Sequence, residues 1–266
     1  MAVVETDRTG QVFIVRMNRP ERLNALNTEM RQMLAEAWTE FRHSKELEVA
    51  IYPGTGRGFC AGEDMKESLV AGRPGGTRPS LADPFMDGTL EKPVIAAING
   101  FAMGGGFMLV ERADLRVAVP EALFEVSEAK RWLLGGYNHG HLANLPYPIA
   151  MEMALGFRIT AERFYQLGFL NRLAPPAELI ATAMTMAEHL LSLPPASRVN
   201  TVYMMRQMRP EPAPSHKALA AKLHDHGDKS DLMESRAAFS EKRKPNFKGW
   251  LDPQDRYRMP KLNDKT

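Results

Sequence analysis

Lys92-Pro93-Val94-Ile95-Ala96-Ala97-Ile98-Asn99-Gly100-Phe101-Ala102-Met103-Gly104-Gly105-Gly106-Phe107-Met108-Leu109-Val110-Glu111-Arg112-Ala113 decides the architecture of this 266-residue chain. Residues 93–98 form a short apolar run that reads as a strand. The triplet Gly104-Gly105-Gly106 breaks the pattern, residues 107–113 read as a buried helix, and 115–119 as a further strand. The same order lies upstream. Residues 10–17 are β-rich through Val12, Phe13, Ile14, Val15 and Met17, and the run stops at Asn18-Arg19-Pro20, where proline removes a donor and fixes φ. Met30, Met33, Leu34, Ala37, Trp38 and Phe41 recur at helical spacing over 28–42, and 48–52 reads as the next strand. This alternation predicts an α/β core whose parallel strands are joined by helices.

Beyond residue 150 the strand signals fade, and 149–155, 161–167, 177–193 and 196–208 read as helices, with further helical spacing at 218–223 and 232–239. The expected division is a core over residues 1–200 and a helical C-terminal region over 201–266. Residues 66–91, rich in glycine and proline, are expected to form a long functional or mobile loop. A formal charge of +2, with no basic stripe in the first 200 residues, gives no reason to bind nucleic acid. The single cysteine, Cys60, excludes an intramolecular disulfide. The N-terminal residues lack the basic and apolar regions of a signal peptide, and no apolar run is long enough to span a bilayer. A soluble cytoplasmic protein with no membrane partner is expected.

Two glycine-containing turns carry the chemistry: Phe59-Cys60-Ala61-Gly62-Glu63-Asp64, and Gly100 through Gly106. Glycine lets a substrate approach the backbone, and a helix start adds oriented N–H groups. Two converging N–H groups would form an oxyanion hole. Each turn alone reads equally as a tight connection.

Taken together and in order, these motifs resemble the crotonase, or enoyl-CoA hydratase/isomerase, superfamily. Asn18-Arg19-Pro20 with Leu23-Asn24-Ala25-Leu26 is similar to the family's N-terminal signature, and the turn at Cys60 to its first oxyanion loop. The segment from Lys92 to Gly106 resembles the second, Ala113-Asp114-Leu115-Arg116 the strand after it, and the stretch from Ala238 to Pro245 the ending of the C-terminal helix. The resemblance implies a crotonase-type spiral of ββα units with a helical C-terminal part that serves trimerisation, in a homotrimer or hexamer. It implies an acyl-CoA substrate whose thioester oxygen meets the backbone N–H groups of Glu63 and Gly105. It places Arg19, Arg22, Ala61, Asp64 and Lys66 along the coenzyme A groove, although a solvated surface charge explains each of the basic three as well. No cofactor is implied beyond the coenzyme A carried by the substrate.

Family hydratases use two glutamates. Phe124-Glu125-Val126-Ser127-Glu128 matches the segment that holds one of them, which makes Glu128 the candidate acid/base; the other position, two residues past the glycine triplet, is Met108. Methionine cannot transfer a proton, so the water-adding pair is incomplete. Glu111, one turn beyond Met108, is a possible replacement or a core carboxylate; Glu125 is a second candidate or an exposed charge. His139 and His141 titrate near neutrality and could act, or lie at the surface. Their spacing alone does not make a metal site, since no third ligand or nearby Cys accompanies them. Trp132 and Tyr137 stand where many relatives are small and line the acyl pocket if they are not simply packed.

The leading expectation is an enzyme that passes through a thioester enolate with a single glutamate, by double-bond isomerisation or hydration. The alternatives are a hydratase-lyase or a C–C bond hydrolase using a loop histidine, and a non-catalytic member with Lys242-Arg243-Lys244 as a contact.

Overall fold

Each helix in the repeating part of the chain is preceded by a pair of strands, and from the second pair onward the second member joins a separate sheet. A computed structural model describes the protein over residues 2–72 and 81–262. The strands are β1 (Val4–Thr9), β2 (Val12–Met17), β3 (Val49–Pro53), β4 (Gly58–Cys60), β5 (Val94–Ile98), β6 (Phe101–Met103), β7 (Leu115–Ala118), β8 (Leu123–Glu125), β9 (Ile159–Thr160) and β10 (Arg172–Leu173). The helices are α1 (Thr28–His43), α2 (Met65–Ala71), α3 (Gly105–Arg112), α4 (Gly136–Leu142), α5 (Tyr147–Ala154), α6 (Ala161–Gln166), α7 (Leu179–Ser192), α8 (Pro195–Gln207), α9 (Pro214–His224) and α10 (Ser230–Ser240). One sheet runs β1-β2-β3-β5-β7-β10, antiparallel only between β1 and β2; the other runs β4-β6-β8-β9, antiparallel only between β8 and β9. This is the ββα spiral that the motifs implied.

The differences from the sequence reading have physical causes. β1 gives no apolar signal because all its residues after Val4 are exposed on the sheet edge. The three-residue strands β4, β6 and β8 are too short to show a period, and β9 and β10 correct the expectation that no strands occur beyond residue 150. Residues 66–91 are not wholly a loop: Met65–Ala71 forms α2 from Met, Lys, Glu, Leu and Ala, all good helix formers, while residues 73–80 lie outside the described part.

The chain divides into two compact units, each discontinuous in sequence. One comprises Met1–Asp64, Gly75–Glu125 and Arg158–Arg209; the other comprises Met65–Pro74, Val126–Phe157 and Pro210–Thr266. Both sheets lie in the first, with α7 packed over β3, β5 and β7. Its core holds two aromatic groups. Trp38 stacks on Phe85 at 4.8 Å and meets Tyr52 edge-on at 5.1 Å, while Phe107, Phe124, Phe164 and Phe169 pack together beside α3. Arg206 on α8 ties the helix down by donating to both oxygens of Asp114, at 2.8 and 2.6 Å, and to the Lys92 carbonyl. Among the described residues no helix is long and apolar enough to cross a membrane.

Asp83 orients the turn that carries Phe85. Its Oδ1 accepts the N–H groups of Phe85 and Met86, both at 3.0 Å. Burial nevertheless pushes its carboxyl up to about 6. Because the folded state holds this proton more tightly, stability is full below about pH 4 and falls as pH rises through 6. Asp83→Asn keeps the acceptor and removes the charge. In urea unfolding at pH 7.5 it should gain about 1–3 kcal/mol over the parent, and the gain should vanish at pH 4.

Candidate active site

In the first unit, the turn after β2 and the loop after β4 are tied together through Asn24. Leu23 and Asn24 both adopt positive φ, 54° and 55°, which points the Asn24 side chain inward, where it is fully buried. Its amide donates to the carbonyls of Thr55, Gly58 and Phe59 at 2.9–3.1 Å, and its oxygen accepts the Arg19 N–H at 2.8 Å. Such a side chain substitutes for missing sheet bonds, because buried carbonyls left unpaired are costly. Arg19 reinforces the tie, donating to the Ala25 carbonyl at 2.6 Å and pairing with Asp64 at 3.1 Å. Cys60 adds a third link: its thiol donates to the Asn24 carbonyl at 3.1 Å and accepts the Gly62 N–H at 3.4 Å. Burial pushes that thiol up to about 12, so it is a neutral hydrogen-bonding group and not a nucleophile.

The two glycine turns touch backbone to backbone. A Cβ on Gly62, whose φ is +87°, would lie 2.5 Å from the Met103 carbonyl oxygen and 3.1 Å from the Gly105 nitrogen. A Cβ on Gly106 would overlap the Cys60 carbonyl. One on Gly105 would stand 3.9 Å from the Glu63 nitrogen, with only the tip of Leu26 closer than 3.5 Å. Leu26 donates to the Gly62 carbonyl at 2.7 Å and accepts the Asp64 N–H at 3.2 Å, in a bridge that turns the Glu63 N–H to the opposite side. The Gly105 N–H is the first of α3 and has no carbonyl one turn earlier in the helix to bond. Its helix start is fixed from behind, the Gly104 N–H donating to the Glu125 carbonyl at 2.8 Å. Two amides brought this close, one at a helix start, can together donate to an oxygen that is gaining negative charge.

Along α3, Met108 is half-buried and Glu111 is buried one turn on. Glu125, for which an exposed charge was one expectation, is buried and pairs with Arg158 at 3.1 Å. Arg22 is exposed on the turn Pro20–Arg22, and Ala61 is half-buried at the start of the first loop.

In the second unit, Glu128 opens the single-turn helix Ala129–Arg131, and its carbonyl accepts the N–H groups of Arg131 and Leu133 at 2.9 Å. Its Oε1 lies 3.6 Å from Nε2 of His139, a buried residue on α4. Its Oε2 is buried and has no hydrogen-bond partner among the described residues. Trp132 closes the turn at φ 55°, an unusual conformation for an aromatic residue. It is held by the C-terminal segment of the same unit: its ring meets His224 edge-on at 5.8 Å, and a Cβ on Gly227 would lie 2.7 Å from its Cζ2. Tyr137 and His141 are exposed on α4, and Lys66 is exposed on α2. Among the described residues no group of three His, Cys, Asp or Glu could hold a metal ion. Asn24, legible in the sequence only as part of a motif, completes the site's frame, since its work is to pair backbone carbonyls.

A two-sheet ββα spiral with glycine turns meeting at a helix start defines a class of fold and site. Comparison with known proteins places the chain within it. The enoyl-CoA hydratase/isomerase family matches residues 7–250. The chain is 33% identical to enoyl-CoA hydratase EchA19 of Mycobacterium tuberculosis, over 93% of this chain and 99% of that one. It is likewise 33% identical to (E)-benzylidenesuccinyl-CoA hydratase of Thauera aromatica, over 92% and 99%. The crystal structure of carnitinyl-CoA hydratase from Mycobacterium avium superposes with a TM-score of 0.79 at 26% identity, covering 93% of this chain and 99% of that one. The chain belongs to the enoyl-CoA hydratase/isomerase family.

The two loop glycines should respond differently to a methyl group. Gly62→Ala forces both a positive φ and a collision with backbone, and should cost about 2 kcal/mol or more. Gly105→Ala meets only the flexible end of Leu26 and should stay within about 1 kcal/mol of the parent in thermal unfolding.

Proposed function

We propose that the protein acts on an acyl-CoA thioester through an enolate, with Glu128 as its single acid/base. The observation that supports this best is the backbone contact between the two glycine turns, which brings the Glu63 and Gly105 amides to one point. A thioester oxygen accepting both N–H groups gains stabilisation as charge moves onto it, and each such donor is commonly worth about 10²–10³ in rate. The C2 proton becomes acidic to the same extent. Glu128, with one oxygen buried and available, takes that proton as the enolate forms.

Met108 decides between the reactions open to such an enolate. Hydration by two groups needs one to activate water and another to protonate C2, and a thioether does neither. A single carboxylate suffices to move a proton from C2 to C4, which shifts a double bond. It also suffices for hydration if the proton it takes from water is the one it returns to C2. The hydratases and dehydratases named among the relatives support the second course. Isomerisation moves one proton, and hydration adds water across C2 and C3, the hydroxyl to C3 and the proton to C2. Neither is a net oxidation or reduction, so neither course requires a redox group. Arg22, on the turn after β2, and Lys66, two residues past Asp64, are exposed and supply phosphate contacts in this reading, while Arg19 and Asp64 hold the loop between them. Homotrimeric assembly belongs to the same reading, supported by Met204, Met208 and Phe239, each more than half exposed.

Pure protein should be offered a 2-enoyl-CoA, a 3-enoyl-CoA and a 3-hydroxyacyl-CoA, with turnover expected on at least one. Glu128→Gln should lower kcat on that substrate at least 10³-fold with an unchanged fold by circular dichroism. Gly105→Ala should lower kcat/KM at least tenfold, by placing a methyl group beside the Glu63 amide. Met108→Glu should raise hydration of the 2-enoyl-CoA; rapid hydration by the parent with no gain in the variant would refute the role given to Met108.

A further inference from the structure

We propose that His139 is the positioning residue of Glu128, occupying its Oε1 side so that Oε2 alone exchanges the substrate proton. The proposal rests on Glu128 being the acid/base. A carboxylate that takes a proton and returns it needs one oxygen left open to the substrate. Oε2 is buried and has no hydrogen-bond partner among the described residues. On the other side, Nε2 of His139 stands 3.6 Å from Oε1, beyond a neutral hydrogen bond but within ion-pair range, with both side chains largely shielded from water. An imidazole at this place holds the plane of the carboxylate and leaves Oε2 to face the substrate proton.

The backbone that carries the ring is held in place, because α4 is seated through its glycines. A Cβ on Gly140 would overlap Ala150 of α5, and a Cβ on Gly136 would lie 3.2 Å from the Ala154 carbonyl and 3.3 Å from Val126. Gly135 leaves room for Glu128 itself, a Cβ there falling 3.6 Å from Glu128 Cγ. The backbone therefore sets both ends of the pair: Glu128 at the start of its turn, and His139 on a helix closely packed against α5. With Oε1 engaged throughout, one oxygen both receives and returns the proton. That is the economy required of a site whose second carboxylate position is Met108.

The test has two arms. In turnover of whichever acyl-CoA the protein accepts, His139→Leu should lower kcat at least tenfold with KM changed less than twofold. His139→Gln, which keeps a donor, should recover most of the loss. In a Glu128→Gln background His139→Leu should have no further effect, because a positioning residue has nothing left to position. The second arm needs no substrate. The His139 ring is followed by NMR titration, and Glu128→Gln should lower its apparent pKa, since the carboxylate no longer stabilises the imidazolium. The other charged groups on its own and neighbouring elements, Lys130 and Arg131 on the preceding turn, His141 on α4 and Glu152 on α5, are the same in both proteins. A kcat within twofold of the parent for His139→Leu, additive losses in the double variant, or a titration unmoved by Glu128→Gln would each overturn the proposal. If His139→Leu is silent while Glu128→Gln is inactive, the positioning role alone falls. If Glu128→Gln keeps full activity, the acid/base reading falls and this one with it.

Discussion

The contact of one peptide chain directly on another, at Gly62 against Met103 and Gly106 against Cys60, is the constraint on which the site depends. Side chains normally keep backbones apart, and only where Cβ atoms are absent can two loops from neighbouring strands press their amides together. Once they do, the direction of each N–H is set by its surroundings: by the Leu26 bridge on one side, and by the start of α3 on the other. The groups that this contact brings together belong to the main chain, and the identity of the Glu63 side chain matters little to their placement.

Such a contact needs rigid support, and this protein supplies it with polar side chains that serve carbonyl groups. Asn24 satisfies three carbonyls behind the first loop. Arg116, half-buried and lowered to about 10 by desolvation, donates to the carbonyls of Val110, Glu111 and Ala113 at the end of α3. Lys92 does the same for Phe41, Ser44 and Leu47 at the end of α1, at 2.6–2.8 Å. These are places where helices and short strands end inside the protein, and an unpaired carbonyl there would cost more than bringing in a charged group to bond it.

The sequence was legible where periodicity is strong. The continuous apolar runs at β3 and β5 and the amphipathic α1 were read within one or two residues. The second sheet was not, because three residues carry no period, and β1 was missed because an exposed edge strand has no apolar face. At the site, the glycine triplet and Glu128 stood out as motifs, while the partners of polar groups did not. Nothing in the sequence reveals that Arg19 spends its guanidinium on Ala25 and Asp64, or that Glu125 is buried against Arg158. Those outcomes depend on which residues the spiral brings together across dozens of positions, information that lies in topology and not in local composition.

Trp132 illustrates the effect of this topology on the chain as it is made. The turn that carries Glu128 is braced by His224 and Gly227, about ninety residues further on in the same unit. Contacts of such long sequence separation close late, since they pay the largest loop entropy. During synthesis the strands of the first unit can pair while this turn still lacks its brace. Maturation of the Glu128 turn therefore waits until residues 224–227 have been made, and a chain lacking them would carry the glycine turns in place with Trp132 unsupported.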